Sequence, residues 1–161
     1  MSELKLTSPA FKPGDWMPNH ASAYYENRSP ELNIEGIDPR GVSLVITMDD
    51  LGHPLEPGYN HWVAWNIPVN GETATIPEGL PKGAVLEAPI HIEQGMAYGK
   101  HCYKGPKPPF NWNHDYLFTL YVIDLRLELS PASNRAAVHK AIEGHVLQTA
   151  TLTGKYQRRH K

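Results

Sequence analysis

A histidine, a carboxylate and a tyrosine occur together in the segment NWNHDYLFTLYVID, where a proline-rich stretch passes into an apolar run. Side chains of an extended strand alternate between two faces, so His114 and Tyr116 are predicted to share a face with Phe118, Leu120 and Val122. An imidazole and a phenol supply hydrogen-bond donors and acceptors. Their position at the start of a buried strand makes them candidates for a ligand site.

Two other polar residues extend apolar faces of predicted strands. Asp50 ends the segment GVSLVITMDD and is predicted to share a face with Leu44, Ile46 and Met48. His61 begins the segment HWVAWNIP and is predicted to share a face with Val63, Trp65 and Ile67. An unpaired polar group in the interior would cost about 1–3 kcal/mol. These side chains therefore either pair with one another or line a cavity.

The four side chains suit the binding of an anion. Taken singly, each is more often a half-exposed residue that bonds to the backbone. Taken together, a carboxylate, two imidazoles and a phenol at strand ends form a donor and acceptor set. Gly105, in the segment KGPKPP, can add an exposed backbone N–H. The combination could face an anion, and whether these side chains pair with one another or line a cavity stays open at this point.

The elements that carry these residues are predicted to be mainly strands. Fifteen prolines and thirteen glycines are spread along the chain without a period, which indicates frequent turns and short strands. Helical spacing occurs only after Ser130, where Ser130 or Ser133 is a candidate N-cap and Gly144 is predicted to separate two short helices. We therefore predict one domain over residues 1–161, a mainly β sandwich or barrel-like sheet with short C-terminal helices.

Composition excludes several classes of protein. A formal net charge of −2 argues against a nucleic-acid partner, and the basic C-terminal tail that ends at Arg159 and Lys161 is expected to be solvated. The single cysteine, Cys102, fits a reducing compartment and is expected to be a small buried residue. No apolar stretch approaches the roughly 18 residues of a membrane span, and the N-terminal segment lacks the apolar core of a signal peptide. These features predict a cytoplasmic protein without integral membrane association.

Five segments occur in the order found in one known family. They are FKPGDWMPNHASAYYENRSPELNIEGIDPRGVSLVITMDD, HWVAWNIP, YKGPKPP, HDYLFTLYVID and AIEGHVLQTATLTGKYQR. With them the chain resembles the phosphatidylethanolamine-binding protein family, which includes the Raf-kinase-inhibitor proteins, and specifically its bacterial and archaeal branch. The match extends over most of the chain, so it does not depend on a single short motif.

The resemblance implies a β-sandwich-like fold with a small pocket for phosphate-type anions. It also implies a non-enzymatic protein without a cofactor, which in some members inhibits kinases or proteases, and a homodimer is expected for this branch. A small anionic or phospho-headgroup ligand is the implied partner. Carried over motif by motif, the pocket residues are Asp50, His61, Gly105, Pro106, His114 and Tyr116.

This chain departs from the family pattern beside the pocket. Where the family has DPDAP, the chain has DLGHP, so Leu51 and Gly52 replace a proline and the second aspartate. A different turn is therefore expected after Asp50. Lys107 is the central residue of the GP-x-PP turn, and together with Lys100 and Lys104 it is expected to favour anions near the mouth of the pocket.

Two enzyme classes are the alternatives. His61, His114 and Asp50 could be the ligands of a metal-dependent hydrolase, since two imidazoles and a carboxylate can bind zinc or iron. A nucleophilic hydrolase is less favoured, because no G-x-S-x-G motif is present and Cys102 is next to His101 in sequence, where strand residues point to opposite faces. The anion pocket is the preferred interpretation.

Overall fold

The computed structural model describes residues 3–52 and 59–158. This part of the chain contains nine strands, one α-helix and one 3₁₀ turn. They are β1 (Lys5–Thr7), the 3₁₀ turn (Asn19–Ala21), β2 (Leu32–Glu35), β3 (Ser43–Asp50), β4 (Tyr59–Pro68), β5 (Thr73–Ile76), β6 (Val85–Leu86), β7 (Ile92–Gln94), β8 (Asn113–Ile123), α1 (Arg135–Ile142) and β9 (Val146–Gln157). Arg159 and Lys161 of the basic tail lie outside the described residues.

The strands form two antiparallel sheets. The smaller sheet has the order β1-β2-β5, and the larger has the order β6-β7-β4-β3-β8-β9. Strand β3 lies inside the larger sheet between β4 and β8, the strands that carry the two candidate histidines. The mainly β fold predicted from the sequence is confirmed, and three adjacent central strands of the larger sheet carry Asp50, His61 and His114.

The main core lies between the two sheets. Leu32, Ile34 and Ile76 from the smaller sheet belong to one cluster with Ile46 and Phe118 from the larger sheet, and all five are fully buried. The predicted alternation is confirmed for β3 and for β8, because Met48 and Leu120 also belong to this cluster. Burial of apolar area contributes about 25 cal/mol per Å², so this core stabilises the strands whose ends carry the candidate residues.

The opposite face of the larger sheet packs on α1. Val45, Val63 and Trp65 form a second cluster with Val138 and Ile142 of the helix. Strand β3 is therefore buried on both faces, over its whole length. At eight residues α1 is short, and within residues 3–52 and 59–158 we find no helix with the length and apolar character that crossing a bilayer requires.

The C-terminal segment corrects the prediction of two helices. Only one helix forms, and its N-cap is Asn134, whose side chain accepts a hydrogen bond from the Ala137 N–H at 3.0 Å, so neither Ser130 nor Ser133 caps it. Gly144 follows the helix with φ of 79°, a left-handed conformation suited to glycine. The next segment is strand β9, which pairs with β8 at eleven positions. A long neighbouring strand outweighs the weak local helical pattern.

Candidate functional site

Strand pairing brings Asp50 next to the strand that carries His114 and Tyr116. In the β3–β8 register Asp50 is opposite Tyr116, and His114 lies two residues further along the same face. The His114 Nδ1 lies 2.9 Å from Asp50 Oδ2, and both side chains are buried. A hydrogen-bonded carboxylate and imidazole thus occupy one end of the larger sheet.

A β-bulge brings His61 to the same face. Met48 pairs with Trp62 and Asp49 pairs with Asn60, so His61 is an extra residue in β4. Bulges change the direction of a side chain, and they are common beside functional sites. The His61 ring packs on Tyr116 with 5.4 Å between ring centroids, and its Nε2 lies 3.9 Å from Asp50 Oδ2.

The predicted shared face of β4 is therefore wrong. Val63 and Trp65 belong to the cluster beneath α1, whereas His61 contacts Asp50 and Tyr116. Ile67 lies in the core between the sheets. A second register shift separates its pair with Leu44 from the pair between Ala64 and Ile46, and this shift changes the face on which Ile67 lies. Asn66 lies in this shifted segment with φ of 57°. Two bulges interrupt the period of two that the prediction assumed.

Both carboxylate oxygens of Asp50 accept hydrogen bonds. The Gly52 backbone N–H donates to Oδ1 at 2.8 Å, while His114 occupies Oδ2. A Cβ at position 52 would lie 2.6 Å from Cγ of His114. Glycine at this position makes room for the imidazole, which gives the Leu51–Gly52 departure a structural reason. The rest of the DLGHP motif, from His53, lies outside the described residues.

His61 is held in one tautomer. Its Nδ1 lies 2.8 Å from the Lys104 carbonyl, so Nδ1 carries the proton that it donates to that oxygen. Burial lowers the pKa of His61, while the Lys104 carbonyl and the charge of Asp50 act in the opposite direction. His61 is therefore neutral at pH 7, with the electron pair of Nε2 lying 3.4 Å from the Tyr98 hydroxyl, and protonation there would create a second donor.

A cavity of about 230 Å³ opens beside the three side chains. Asp50, His61 and His114 line it, as predicted from the sequence. The remaining wall consists of Tyr98, Lys104, Lys107, Pro108, Pro109 and Trp112. The volume is below the range of about 300–1,000 Å³ that is typical of drug-sized ligands. A small headgroup or a free anion matches this size.

Tyr98 is a wall residue that the sequence reasoning missed. It lies with Gly99 in a two-residue turn closed by reciprocal backbone hydrogen bonds between Ala97 and Lys100, and φ of Tyr98 is 51°. A bulky residue with positive φ is strained and often marks a functional position. Burial raises the pKa of Tyr98 to about 12, so its hydroxyl keeps its proton and lies 3.4 Å from Nε2 of His61. In the sequence, only Gly99 after Tyr98 indicates this turn.

The structure places Gly105 and Pro106 away from the cavity wall. The Gly105 N–H donates to Oδ1 of Asn27 at 2.6 Å, so this amide is already occupied. The Pro106 carbonyl accepts from the Ser22 hydroxyl at 2.7 Å and from the Ala23 N–H at 3.0 Å. These bonds attach the proline-rich loop to residues 21–27. The role visible in the structure is to hold the loop in position, rather than to contact an anion.

Tyr116 also lies behind the wall rather than in it. Its side chain is fully buried, with its ring against those of His61 and His114 at centroid distances of 5.4 and 6.4 Å. Its hydroxyl makes no hydrogen bond of good geometry within residues 3–52 and 59–158, although the Lys107 backbone lies near enough to act on its pKa. Burial, followed by the charge of Asp50, raises the pKa of Tyr116. The phenol supports the two imidazoles and stays protonated.

Replacing Tyr116 with phenylalanine is expected to keep or increase stability. A buried hydroxyl without a partner costs about 1–3 kcal/mol, and phenylalanine retains the ring that supports both imidazoles. Thermal unfolding should therefore occur at the same temperature or a few degrees higher, on the order of 2–4 °C per kcal/mol for this size of protein. Tyr116→Ala is the control, and loss of its ring should destabilise by about 3–5 kcal/mol. A marked loss of stability in Tyr116→Phe would show that the hydroxyl has a partner.

The described residues contain no group of three or more His, Cys, Asp or Glu side chains positioned to hold a metal ion. His114 directs Nδ1 at Asp50, and His61 directs Nδ1 at a backbone carbonyl. Only the two Nε2 atoms remain available, and Asp50 Oδ2 is engaged by His114. Two imidazole nitrogens are fewer than the three or four protein ligands of a typical zinc site, so the described residues favour hydrogen bonding to a ligand.

The two antiparallel sheets form the kind of fold that the sequence resemblance implied. The family model described as phosphatidylethanolamine-binding protein matches residues 7–157. The chain belongs to the phosphatidylethanolamine-binding protein family. The resemblance noted from the sequence motifs is thereby confirmed.

Relatives of the chain occur in archaea and bacteria. A UPF0098 protein of Pyrococcus abyssi is 40% identical over 159 residues, which cover 98% of this chain and 87% of the relative. The UPF0098 protein YbhB of Escherichia coli is 28% identical over 95% of this chain and 99% of its own length. Neither name states a ligand or a reaction.

Solved structures agree with the fold. The phosphatidylethanolamine-binding protein homologue CT736 of Chlamydia trachomatis is 28% identical, with a TM-score of 0.84 over 97% of this chain and 98% of that chain. Escherichia coli YbcL, described as a member of the mammalian family, has the same TM-score at 23% identity, over 98% of this chain and all of its own. The similarity to YbcL shows the fold alone.

Proposed function

We propose that the cavity binds a small phosphate-type anion and that the protein acts as a binding protein without catalysis. The observation that carries the proposal is the pair of imidazoles, His61 and His114, which line one small cavity with both Nδ1 atoms engaged elsewhere. Each Nε2 is then the ring atom available to a ligand. An imidazole whose Nε2 carries a proton forms a charge-assisted hydrogen bond to an oxyanion.

Charge around the cavity supports an anion despite the presence of Asp50. Its carboxylate is paired with His114 and accepts the Gly52 N–H, so much of its negative charge is compensated. Lys104 and Lys107 line the same cavity and supply positive charge. Burial lowers the pKa of Lys104, and the charge of Lys107 lowers it further. A bound anion would relieve this repulsion between lysines.

The wall chemistry favours binding over catalysis. No serine, threonine or cysteine is among the described residues of the wall, so it offers no hydroxyl or thiol nucleophile next to an imidazole. Cys102 is buried outside this wall, as expected. A binding role of this kind is compatible with the kinase or protease regulation known for some family members, through recognition of a phosphorylated group.

The experiment is a titration of the protein with phosphate and with phosphoethanolamine, followed by NMR at several pH values. Affinity should rise as the pH falls below about 6.5, the ordinary pKa of histidine, because His61 gains a proton on Nε2. Asp50 raises the pKa of His61, so Asp50→Asn should move this rise to lower pH. Binding that is insensitive to pH in both proteins would contradict the proposal.

Acidification should also lower the stability of the protein, and a bound anion should oppose this loss. Because burial lowers the pKa of His61, the unfolded chain binds this proton first, and stability is lost as the pH falls from about 6.5 towards the pKa of the folded protein. An anion that binds protonated His61 reverses part of this loss. The rise in Tm caused by phosphate should therefore be larger at pH 5.5 than at pH 8.

A metal-dependent hydrolase using His61, His114 and Asp50 is the second candidate, favoured only by the proximity of these three side chains. Elemental analysis distinguishes the two. The anion proposal expects no stoichiometric zinc or iron and no change of Tm with a chelator. About one metal ion per chain that is lost in His61→Ala would replace the proposal.

A further inference from the structure

A second cavity adjoins the first and is strongly basic. Its volume is about 300 Å³, and its wall includes Lys82, Lys100, Lys104 and Lys107. No aspartate or glutamate is among the described residues that line it. Within residues 3–52 and 59–158, none of these four lysines forms an ion pair with a carboxylate. We name this cavity, defined by the four lysines, the lysine cavity.

The loops that carry the lysines are fixed by buried hydrogen bonds. The loop of Lys82 is attached to the fully buried side chain of Gln94, whose Nε2 donates to the carbonyls of Pro81 and Gly83 at 3.0 and 3.1 Å. Oε1 of the same side chain accepts from Nε1 of Trp62 at 2.9 Å. These bonds hold the backbone on both sides of Lys82, which reduces the part of the entropic cost of binding that comes from ordering the loop.

Separate anchors hold the other lysines. Lys100 follows the two-residue turn closed by the reciprocal bonds with Ala97. The Lys104 carbonyl accepts from Nδ1 of His61, and the next residue, Gly105, donates to Asn27. Like charges at the end of three fixed segments repel one another, and no described carboxylate of this wall offsets the repulsion. An anion with several negative charges would offset this repulsion.

The two cavities are neighbours across a shared wall. Tyr98, Lys104 and Lys107 line both of them. The Lys104 ammonium lies 3.7 Å from the centre of the Tyr98 ring, a cation–π contact that places the charge at the boundary between the cavities. A ligand with two linked anionic groups can therefore contact both sides of this boundary.

We propose that the lysine cavity is a second anion subsite, and that the ligand is a small molecule with a diphosphate or longer phosphate chain that spans both cavities. The first phosphate occupies the cavity of His61 and His114, and the next occupies the lysine cavity. The spanning arrangement rests on the function proposed for the first cavity. The second subsite rests on the four lysines and their fixed loops.

Inorganic phosphate and inorganic triphosphate are the probes that test it. Lys82 and Lys100 line only the lysine cavity, so Lys82→Ala/Lys100→Ala should remove the second subsite and leave the first. The wild type is expected to bind triphosphate at least tenfold more tightly than phosphate. In the double variant this advantage should fall below about threefold, with phosphate affinity within twofold of the wild type. Calorimetry or NMR titration at constant ionic strength measures both affinities.

A variant with the same change of net charge is the control. Lys5→Ala/Lys12→Ala removes two exposed lysines that do not line the lysine cavity, and it should keep the full preference for triphosphate. Equal loss in both double variants would show a general charge effect and overturn the proposal. Triphosphate that binds no more tightly than phosphate to the wild type would also overturn it.

A third variant distinguishes failure of the first cavity from failure of the second. His61→Ala should lose phosphate binding, while triphosphate should still shift the amide signals of Lys82 and Lys100. If the wild type shows those shifts without any response of His61 and His114, the second subsite is supported and the spanning arrangement is overturned. If triphosphate shifts only the histidine signals, the second subsite is overturned.

Discussion

Replacing His61 with alanine is expected to weaken phosphate binding at pH 6 by on the order of 10- to 100-fold. The variant removes a charge-assisted hydrogen bond worth about 1.5–3 kcal/mol, which corresponds to this change of affinity. It should also flatten the dependence of affinity on pH, because burial makes His61 the group that gains a proton as the pH falls. Calorimetric titrations between pH 5.5 and 8 measure both effects.

His114→Ala should weaken phosphate binding more than His61→Ala does. This variant removes a donor and also leaves Asp50, a buried carboxylate, without the imidazole that lies 2.9 Å from its Oδ2. An uncompensated buried charge destabilises the fold and repels an anion. His114→Gln keeps an N–H donor near Asp50 and separates loss of ligand contact from loss of folding.

A histidine–aspartate pair on the surface is the matched control. Nδ1 of His145 lies 2.8 Å from Oδ1 of Asp124, nearly the same distance as in the His114–Asp50 pair, but both side chains are partly exposed. His145→Ala should change phosphate affinity by less than about twofold, because exposed pairs contribute about 0–1 kcal/mol and this one lines neither cavity. Equal phosphate affinity in all of these variants would show that the cavity histidines have a structural role only.

Replacing Gly105 with alanine is expected to destabilise the protein by on the order of 3 kcal/mol and to lower Tm by about 6–12 °C. A Cβ at this position would lie 1.9 Å from the Ala21 carbonyl oxygen and 3.0 Å from the Ala23 nitrogen. Both obstacles are backbone atoms, so the proline-rich loop must move away from residues 21–27. Calorimetry gives the change in Tm.

The same displacement should weaken phosphate binding, since the loop carries Lys107 and the Lys104 carbonyl that orients His61. Gly14→Ala serves as the comparison, because a Cβ there meets no atom within 4 Å although φ is +78°. It should cost only about 1–2 kcal/mol, from backbone strain, and leave phosphate affinity unchanged. A Gly105→Ala protein as stable as the wild type would contradict the tight packing of this loop.

The local alternation of the sequence was enough to predict the faces of two central strands. In β3 the apolar face ends at Asp50, and in β8 His114 and Tyr116 begin the face that reaches the main core. Both strands keep a regular period of two at these positions, and their mutual register has no shift. Because side-chain direction in a regular strand depends only on the count of residues, the Asp50–His114 neighbourhood was accessible from the sequence.

Contacts between segments that are distant in sequence determined the other features of the fold and the site. His61 reaches Asp50 because β4 contains an extra residue relative to β3, and a bulge depends on the partner strand as much as on the strand itself. The Gly105 amide is directed at Asn27, 78 residues away in sequence, and not at the cavity. Residues 146–157 form a strand because β8 offers a long edge.

The sequence by itself therefore determined the mainly β class and the family, and it singled out Asp50, His61 and His114, which line one cavity. Only the tertiary structure decided that Tyr98 completes the wall, that Lys82 and Lys100 line a second cavity, that Tyr116 lies behind the wall, and that the glycine loop is a support. The physical reason is the sequence separation of the residues that interact. Strand alternation is set by neighbouring residues, whereas register shifts and loop anchors arise from hydrogen bonds between segments that meet only in the folded chain.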